Sequence, residues 1–95
     1  MNLHALMKDR IKEVRNALKI SQRKLGEITG IDRDVWRNIE YGKQRVNEDH
    51  LAALEKVAPQ YIYWIVTGKT LPESGQISPE IEEKCEELLK TGTDG

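Results

Sequence analysis

Cysteine is scarce in this sequence, and long apolar runs are missing. Cys85 is the only cysteine among 95 residues, so no disulfide can form within the chain and no cysteine cluster can hold a metal ion. A reducing, cytoplasmic setting is therefore expected. No apolar run approaches the roughly 20 residues of a membrane span. The opening MNLHALMKDRIKEV also lacks the order of charged, apolar and small residues that marks a signal peptide.

Constellations that would carry catalysis are also missing. No glycine-rich phosphate loop, paired carboxylates or Ser-His-Asp set stands out, and His4 and His50 lie in different segments without neighbouring ligands. We therefore expect no enzyme activity, no cofactor and no metal site. Cys85 falls on the apolar side of its segment and is expected to behave as a small hydrophobic residue.

The charges are divided unevenly along the chain. The net charge is −1, but residues 1–70 hold 13 Lys and Arg against 9 Asp and Glu, whereas residues 71–95 hold 2 against 7. The main part is thus mildly basic and the C-terminal part is acidic. Such an excess favours nucleic-acid binding only if the cations lie on one face.

The apolar pattern predicts helices throughout, without the alternation typical of strands. Apolar residues recur at helical spacing from Leu3 to Leu18 in helix 1. Candidate N-caps then open three more helices. They are Ser21 for helix 2, closed by Gly30; Asp32 for helix 3, which runs from Arg33 to Tyr41; and Asn47 for helix 4, which Pro59 stops. A short fifth helix is predicted from Tyr61 to Thr67, ending at Gly68.

The C-terminal part is predicted to differ from the rest. The run TLPESGQIS has the Pro, Gly and Ser content of a linker. Ser78 and Pro79 then fit the N-cap and first position of an acidic helix 6, with Ile81, Cys85, Leu88 and Leu89 on one side and a fraying end. We therefore divide the chain into a domain of residues 1–70 and a linker with a C-terminal helix in residues 71–95.

Helices 2 and 3 are short and meet at a glycine corner, which is the helix-turn-helix arrangement. Trp36 and Ile39 lie three residues apart and are expected in the core, together with Leu25 and Ile31. The opposite face of helix 3 then carries Arg33, Asp34, Arg37 and Asn38. Arg can donate to guanine, Asn can pair with adenine, and Asp can accept from cytosine. This face is therefore the candidate for reading DNA bases, although an exposed face with two arginines could also be only solvated.

The stretch RNALKISQRKLGEITGIDRDVWRNIEYGKQRVNEDHLAALEKVAPQYIYWIVTG resembles the phage Cro/repressor-type (Xre-like) helix-turn-helix family of DNA-binding proteins. The resemblance rests on the order of Arg in helix 1, Ser-Gln opening helix 2, Gly at the corner, hydrophobic-Glu-x-Gly closing helix 3, and a basic loop. It implies an all-α fold, namely a compact five-helix lambda-repressor-like domain with helices 2 and 3 as the helix-turn-helix, to which helix 6 is added. It also implies a phage or prophage origin in bacteria.

The resemblance also implies roles for individual residues. The base-reading positions correspond to Arg33, Asp34, Arg37 and Asn38. The positions that contact the DNA backbone correspond to Ser21, Gln22, Arg23, Lys43, Gln44 and Arg45. Arg15 and Glu40 match a partly buried structural ion pair. The chain departs from the family pattern at Gly26, Thr29, Trp36 and Tyr41, where the family usually has other residue types. Asp34 is also unusual, because phosphates would repel it, and its presence on this face implies close control of orientation.

The run YIYWIVTGK contains the densest aromatic group and has two interpretations. It can close the domain core, or it can contact a second subunit, because aromatic residues are enriched at interfaces. Tyr61, Tyr63 and Trp64 are the candidate interface residues. Helix 6 has alternatives too: it can cover the domain, pair across a dimer, or remain loosely attached in solvent.

Together these features favour a sequence-specific regulator of transcription that binds double-stranded DNA. We expect a repressor that acts as a homodimer on a palindromic operator, in the cytoplasm and on the bacterial nucleoid when bound. The alternative from another class is an antitoxin-like protein-interaction module whose acidic C-terminal segment binds a partner protein.

Overall fold

The computed structural model describes residues 6–84, and within them the fold is all-α. The predicted parts of helix 1 before Leu6 and of helix 6 after Lys84, including Cys85, Leu88 and Leu89, lie outside the described residues. The five main helices are α1 Met7–Ala17, α2 Gln22–Thr29, α3 Arg33–Glu40, α4 Glu48–Val57 and α5 Ile62–Thr67. Short 3-10 turns occupy Pro59–Tyr61 and Pro72–Ser74, and residues 79–84 are helical.

The predicted caps define where α2, α3 and α4 begin. The Ser21 hydroxyl accepts from the Lys24 N–H at 3.0 Å, and an Asp32 carboxylate oxygen accepts from the Asp34 N–H at 2.8 Å. Asn47 and His50 form a reciprocal capping box at α4, because each side chain accepts from the other residue's N–H at 3.0 Å. These bonds satisfy donors that the first turn leaves without helical partners.

The core forms where the five main helices meet, and each of them contributes buried apolar residues. α1 packs against α3 and α5, α2 packs against α3 and α4, and α4 contacts α5. Ile11 and Val14 of α1 are buried, as are Trp36 and Ile39 of α3, which confirms the inward face predicted for α3. The Trp36 ring also lies against the His50 ring of α4, with centroids 5.6 Å apart. α3 is therefore amphipathic, with Trp36 and Ile39 buried on its inward face and the opposite face directed away from the core.

α2 and α5 end with the same local motif, in which a threonine precedes a left-handed glycine. The Thr29 hydroxyl donates to the Leu25 carbonyl four residues earlier and accepts from the Ile31 N–H two residues later. Thr67 makes the equivalent bonds to Tyr63 and Lys69. The glycines that follow, Gly30 and Gly68, have φ values of 73° and 76°. Thr29 differs in one respect, because its hydroxyl also accepts from the Trp36 indole Nε1–H at 3.0 Å.

The segment predicted as a linker is attached to the domain in the described residues. The Gln76 side chain accepts from the Tyr63 N–H at 3.0 Å and donates to the Pro59 carbonyl at 2.9 Å. The Ile77 N–H donates to the Gln60 carbonyl at 2.9 Å, and Ser78 is buried. Residues 76 and 77 are therefore bonded to the domain, and the division of the chain at residue 70 stays a prediction. The helix that begins after Ser78 follows the predicted N-cap, because the Ser78 hydroxyl accepts from the Ile81 N–H.

Candidate nucleic-acid interface

The outer face of α3 presents charged side chains from its first two turns. Arg33, Asp34 and Arg37 are exposed, with side-chain exposures of 63%, 56% and 47%, whereas Asn38 is half-buried. Val35, on the flank of this face, is half-buried and packs against the core. Arg33, Asp34 and Arg37 therefore form an exposed group near the N-terminus of the helix, where backbone N–H groups favour anions.

The two arginines of this face are paired with the aspartate between them. An Arg37 Nη2 lies 3.1 Å from an Asp34 carboxylate oxygen, and the Arg33 Nε lies 3.8 Å from the same oxygen. With the Asp32 cap included, the exposed first turns of α3 carry two cations and two anions. This face is thus close to electrically neutral, although its individual groups are charged.

The loop after α3 is tied to the end of that helix. The Asn38 carbonyl accepts from the N–H groups of Lys43 at 2.8 Å and Gln44 at 3.3 Å. Gly42 supports this turn with a φ of 80°, a conformation that glycine adopts without strain. Lys43, Gln44 and Arg45 are all exposed. The backbone of Asn38 thereby sets the position of the basic loop relative to the outer face of α3.

A buried polar network locks the C-terminal end of α3 to α1 and α2. Arg15 donates to both carboxylate oxygens of Glu40, through Nε at 2.8 Å and Nη2 at 3.0 Å. A further Arg15 donor reaches the Ile20 carbonyl at 2.9 Å, and Gln22 Nε2 donates to Glu40 at 3.2 Å. The Glu40 side chain is 1% exposed and that of Arg15 13%. Such a bidentate pair has directional geometry that holds α3 in one orientation.

The α2 N-terminus lies beside this network. Gln22 is half-buried and engaged with Glu40, so its side chain braces α3. The Ser21 hydroxyl is used by the helix cap. The exposed Arg23 side chain lies 3.4 Å from the Glu27 carboxylate, and Lys24 lies 3.9 Å from it. The positive charges of Arg23 and Lys24 are thus partly neutralised by Glu27. The Ser21 and Gln22 side chains, which were predicted to contact the DNA backbone, make bonds within the domain.

Residues 11–65 match the model of the helix-turn-helix family, which is more than half of the chain. This chain belongs to the phage Cro/repressor-type helix-turn-helix family. A similar solved structure is the solution NMR structure of the DNA-binding domain, residues 1–76, of the P22 C2 repressor. It shares 31% identity with a TM-score of 0.62, and the match covers 72% of this chain and 88% of that chain. No protein with a curated description matches the chain.

Three departures from the Cro/repressor pattern, Gly26, Thr29 and Trp36, lie at the α2–α3 corner and have structural explanations. The Trp36 ring is completely buried, and Thr29 provides the acceptor that its indole N–H needs. A Cβ on Gly26 would lie 3.0 Å from both the Arg33 nitrogen and the Ile31 carbonyl oxygen. Because both are backbone atoms, glycine allows the close approach of the two helices. The Trp36 ring and the Thr29 hydroxyl are therefore matched to each other, and Gly26 separately allows the close approach at the corner.

The aromatic residues of the fifth helix segment divide between core and surface. Tyr61 and Trp64 are 3% and 6% exposed and belong to the core. Tyr63 is half-buried, and the neighbouring Val66 is 40% exposed. Of the three aromatic residues proposed for a dimer contact, only Tyr63 keeps appreciable surface for one. Tyr41, another departure from the family pattern, is 63% exposed.

Burial inside the domain shifts the pKa values of two side chains, His50 and Arg10. Burial lowers the pKa of His50 below its usual 6.5, and the Asp49 carboxylate opposes part of this shift. Burial likewise lowers the pKa of Arg10, partly offset by Asp9. Among residues 6–84, no group of three or more His, Cys, Asp or Glu side chains is arranged to hold a metal ion. The helices in the same range are also too short or too polar to cross a membrane.

Arg10 and Lys8 were not anticipated by the sequence reasoning. Arg10 is 6% exposed and its Nε donates to the Ile65 carbonyl at 2.8 Å, so it caps the end of α5. Its position three residues after Met7, within the apolar stripe of α1, was the available signal. Lys8 Nζ lies 3.2 Å from the site of a Cβ on Gly42, beside the basic loop. Nothing in the local sequence indicates that contact, since 34 residues separate the two positions.

Proposed function

We propose that this chain is a sequence-specific regulator of transcription that binds double-stranded DNA and acts as a repressor. The observation that carries the proposal is the exposed Arg33–Asp34–Arg37 face of α3, held in place by the buried Arg15–Glu40 pair. A short helix with exposed arginines near its N-terminus suits the major groove, where arginine can donate two bonds to guanine. The family relationship supports this use, since the P22 C2 repressor domain is itself described as DNA-binding.

The proposed division of labour assigns bases to α3 and phosphates to its flanks. Arg33, Asp34, Arg37 and Asn38 would lie in the groove, with Arg37 as the principal base reader. Ser21, Gln22, Arg23, Lys43, Gln44 and Arg45 would follow the sugar-phosphate backbone on either side. The bond between the Asn38 carbonyl and the Lys43 N–H supports this arrangement, because it fixes the loop relative to the helix. Phosphate contacts set the position of the protein, and base contacts set its sequence preference.

We further propose a homodimer on a palindromic operator. Two copies would place α3 in successive major grooves about 34 Å apart. Tyr63 and Val66, neighbours on α5 that retain exposed apolar surface, are the proposed contact. Sedimentation equilibrium of the full chain, alone and with Tyr63→Lys, tests this. A mass that is dimeric for the wild type and monomeric for the variant supports the contact, and an unchanged mass contradicts it.

Selection from random duplex DNA tests the function itself. We expect recovery of an imperfect palindrome whose half-sites are separated by about one helical turn. Arg37→Ala should then weaken binding to the selected site by about 1–3 kcal/mol and relax preference at one base pair. Equal losses on selected and random duplexes would contradict base reading by Arg37.

The phosphate role of the loop has its own test. Lys43→Ala should weaken binding to all duplexes similarly and reduce the slope of log affinity against log salt by about 1. Lys56→Ala is the matched control, because Lys56 lies in the last turn of α4, at the end of that helix remote from the loop. Identical salt slopes for the wild type and Lys43→Ala would contradict the contact. The expectation that residues 71–95 bind a partner protein stays a prediction.

A further inference from the structure

The geometry points to Asp34 as a positioning residue that fixes the Arg37 guanidinium for one base and lowers binding to DNA of other sequence. This inference rests on the proposed DNA-binding function and deepens it. The family comparison implies only that position 34 faces bases. The ion pairs on α3 suggest a different use of the carboxylate, which acts through Arg37 instead of contacting a base itself.

The first observation is the contact geometry. Asp34 and Arg37 lie three residues apart on one helix face, and their charged atoms are 3.1 Å apart although both side chains are about half exposed. Asp34 is itself held at the start of α3, because its N–H donates to the Asp32 side chain. An arginine that is held before binding loses less side-chain freedom when it meets a base. Arg33, at 3.8 Å from the same carboxylate, is held more weakly.

The second observation is the charge of the surface. A face that only binds DNA phosphates would gain from unpaired cations, yet on this one the Asp34 carboxylate lies between two guanidinium groups, and the Asp32 cap adds a second carboxylate before the helix. An anion beside DNA is repelled by the phosphates, and this cost is offset only where base acceptors lie in register with the Arg37 guanidinium. The carboxylate therefore weakens binding to any duplex. The oriented arginine offsets this loss of binding free energy only on the duplex with the correct base. Sequence preference increases by this difference.

The competing explanation is that Asp34 merely favours the helix N-terminus. α4 offers an internal control, because Asp49 occupies the same second position of that helix and is also exposed. Both carboxylates should interact similarly with their helix dipoles. Asp49 belongs to a helix whose N-terminal turn is not on the Arg33–Asp34–Arg37 face. A role limited to helix stability therefore predicts similar results for Asp34→Asn and Asp49→Asn.

The experiment measures equilibrium binding of the full-length chain to the selected duplex and to a random duplex, over a range of salt concentrations. Asp34→Asn is expected to weaken binding to the selected duplex about three- to tenfold, from the lost ordering of one long side chain. It should strengthen binding to the random duplex about two- to fivefold at low salt, since one repelled charge is removed. Asp34→Glu, which keeps the carboxylate, should recover at least half of the loss in selectivity on a logarithmic scale.

A double-mutant cycle separates positioning from direct reading. In the Arg37→Gln background, Asp34→Asn should no longer weaken binding to the selected duplex, because the residue it positions is gone. It should instead strengthen that binding about two- to fivefold at low salt, as on the random duplex, because one repelled charge is removed. Asp49→Asn should leave both affinities within about twofold of the wild type. An equal loss from Asp34→Asn in both backgrounds would overturn the inference and assign Asp34 to a base. Unchanged selectivity in Asp34→Asn would overturn it as well.

Failure of the proposed function gives a different result. In that case the wild type itself binds selected and random duplexes equally, before any variant is compared. A wild type that discriminates, together with an Asp34→Asn variant that discriminates equally well, leaves the DNA-binding function standing and removes only the positioning role.

Discussion

Replacing Thr29 by valine tests whether the buried indole of Trp36 depends on one hydroxyl. Valine has nearly the same shape as threonine, so Thr29→Val creates little empty space and removes mainly the oxygen. The Trp36 side chain is completely buried, and its Nε1–H donates to that oxygen at 3.0 Å. Without it the indole N–H has lost the acceptor that the structure gives it.

The expected loss follows from the burial of this donor. Leaving a buried donor unsatisfied costs about 1–3 kcal/mol, so we expect Thr29→Val to lower the free energy of unfolding by about 2 kcal/mol. For a domain of this size each kcal/mol corresponds to about 4–8 °C, so Tm should fall by about 8–16 °C. The bond to the Ile31 N–H is longer, at 3.3 Å, and contributes less.

Thermal and urea unfolding followed by circular dichroism measure this change, and Thr67→Val is the matched control. Thr67 makes the same two backbone bonds before a left-handed glycine, but it is exposed. Its hydroxyl is described with these backbone partners, whereas the Thr29 hydroxyl also accepts from a buried indole. Its replacement should therefore change stability by no more than about 0.5 kcal/mol. Equal effects of the two substitutions would refute the reasoning. A cycle with Trp36→Phe should give a coupling of about 1 kcal/mol or more between the two positions.

Four further substitutions test the packing, the backbone and the buried charges, each by urea unfolding. Gly26→Ala should destabilise the domain by about 1–3 kcal/mol through overpacking, because its Cβ would lie 3.0 Å from two backbone atoms. This loss should exceed the helix-propensity gain of up to about 1 kcal/mol, and a more stable variant would show that α2 and α3 are farther apart than described. Lys19→Gly should stabilise by about 0.5–1 kcal/mol, because Lys19 has a φ of 60°, and a loss of stability would argue against this backbone conformation. Glu40→Ala should cost about 3–5 kcal/mol because it leaves a buried guanidinium without its carboxylate, whereas Glu27→Ala, which breaks an exposed pair, should cost less than about 1 kcal/mol. The pKa of His50 is lowered in the folded state, so its neutral form contributes stability above about pH 6.5 that is lost as the pH falls through the folded pKa. His50→Gln should therefore flatten the dependence of the free energy of unfolding on pH. The same pH profile in the wild type and the variant would contradict this expectation.

Much of the fold was predictable because its signals are local. Ser21, Asp32 and Asn47 cap the helices that they were predicted to cap, since a cap needs only a short polar side chain and the next turn of backbone. The inward face of α3 followed from the spacing of Trp36 and Ile39. The division of the chain at residue 70 stays a prediction. The bonds of Gln76 to residues 13 and 17 positions away could not be derived in this way, because they join segments that are distant in the sequence.

The candidate site divides along the same line. Helical periodicity alone is enough to predict that Arg33, Asp34 and Arg37 face outward, because only one face of α3 is left once its apolar residues are buried. The pairing of Asp34 with Arg37, the bond from Trp36 to Thr29 and the contact of Gly26 with the backbone at the start of α3 appear only in the folded chain. Those contacts depend on distances of a few tenths of an ångström between segments and on chosen rotamers, and residue types and spacing alone do not specify either.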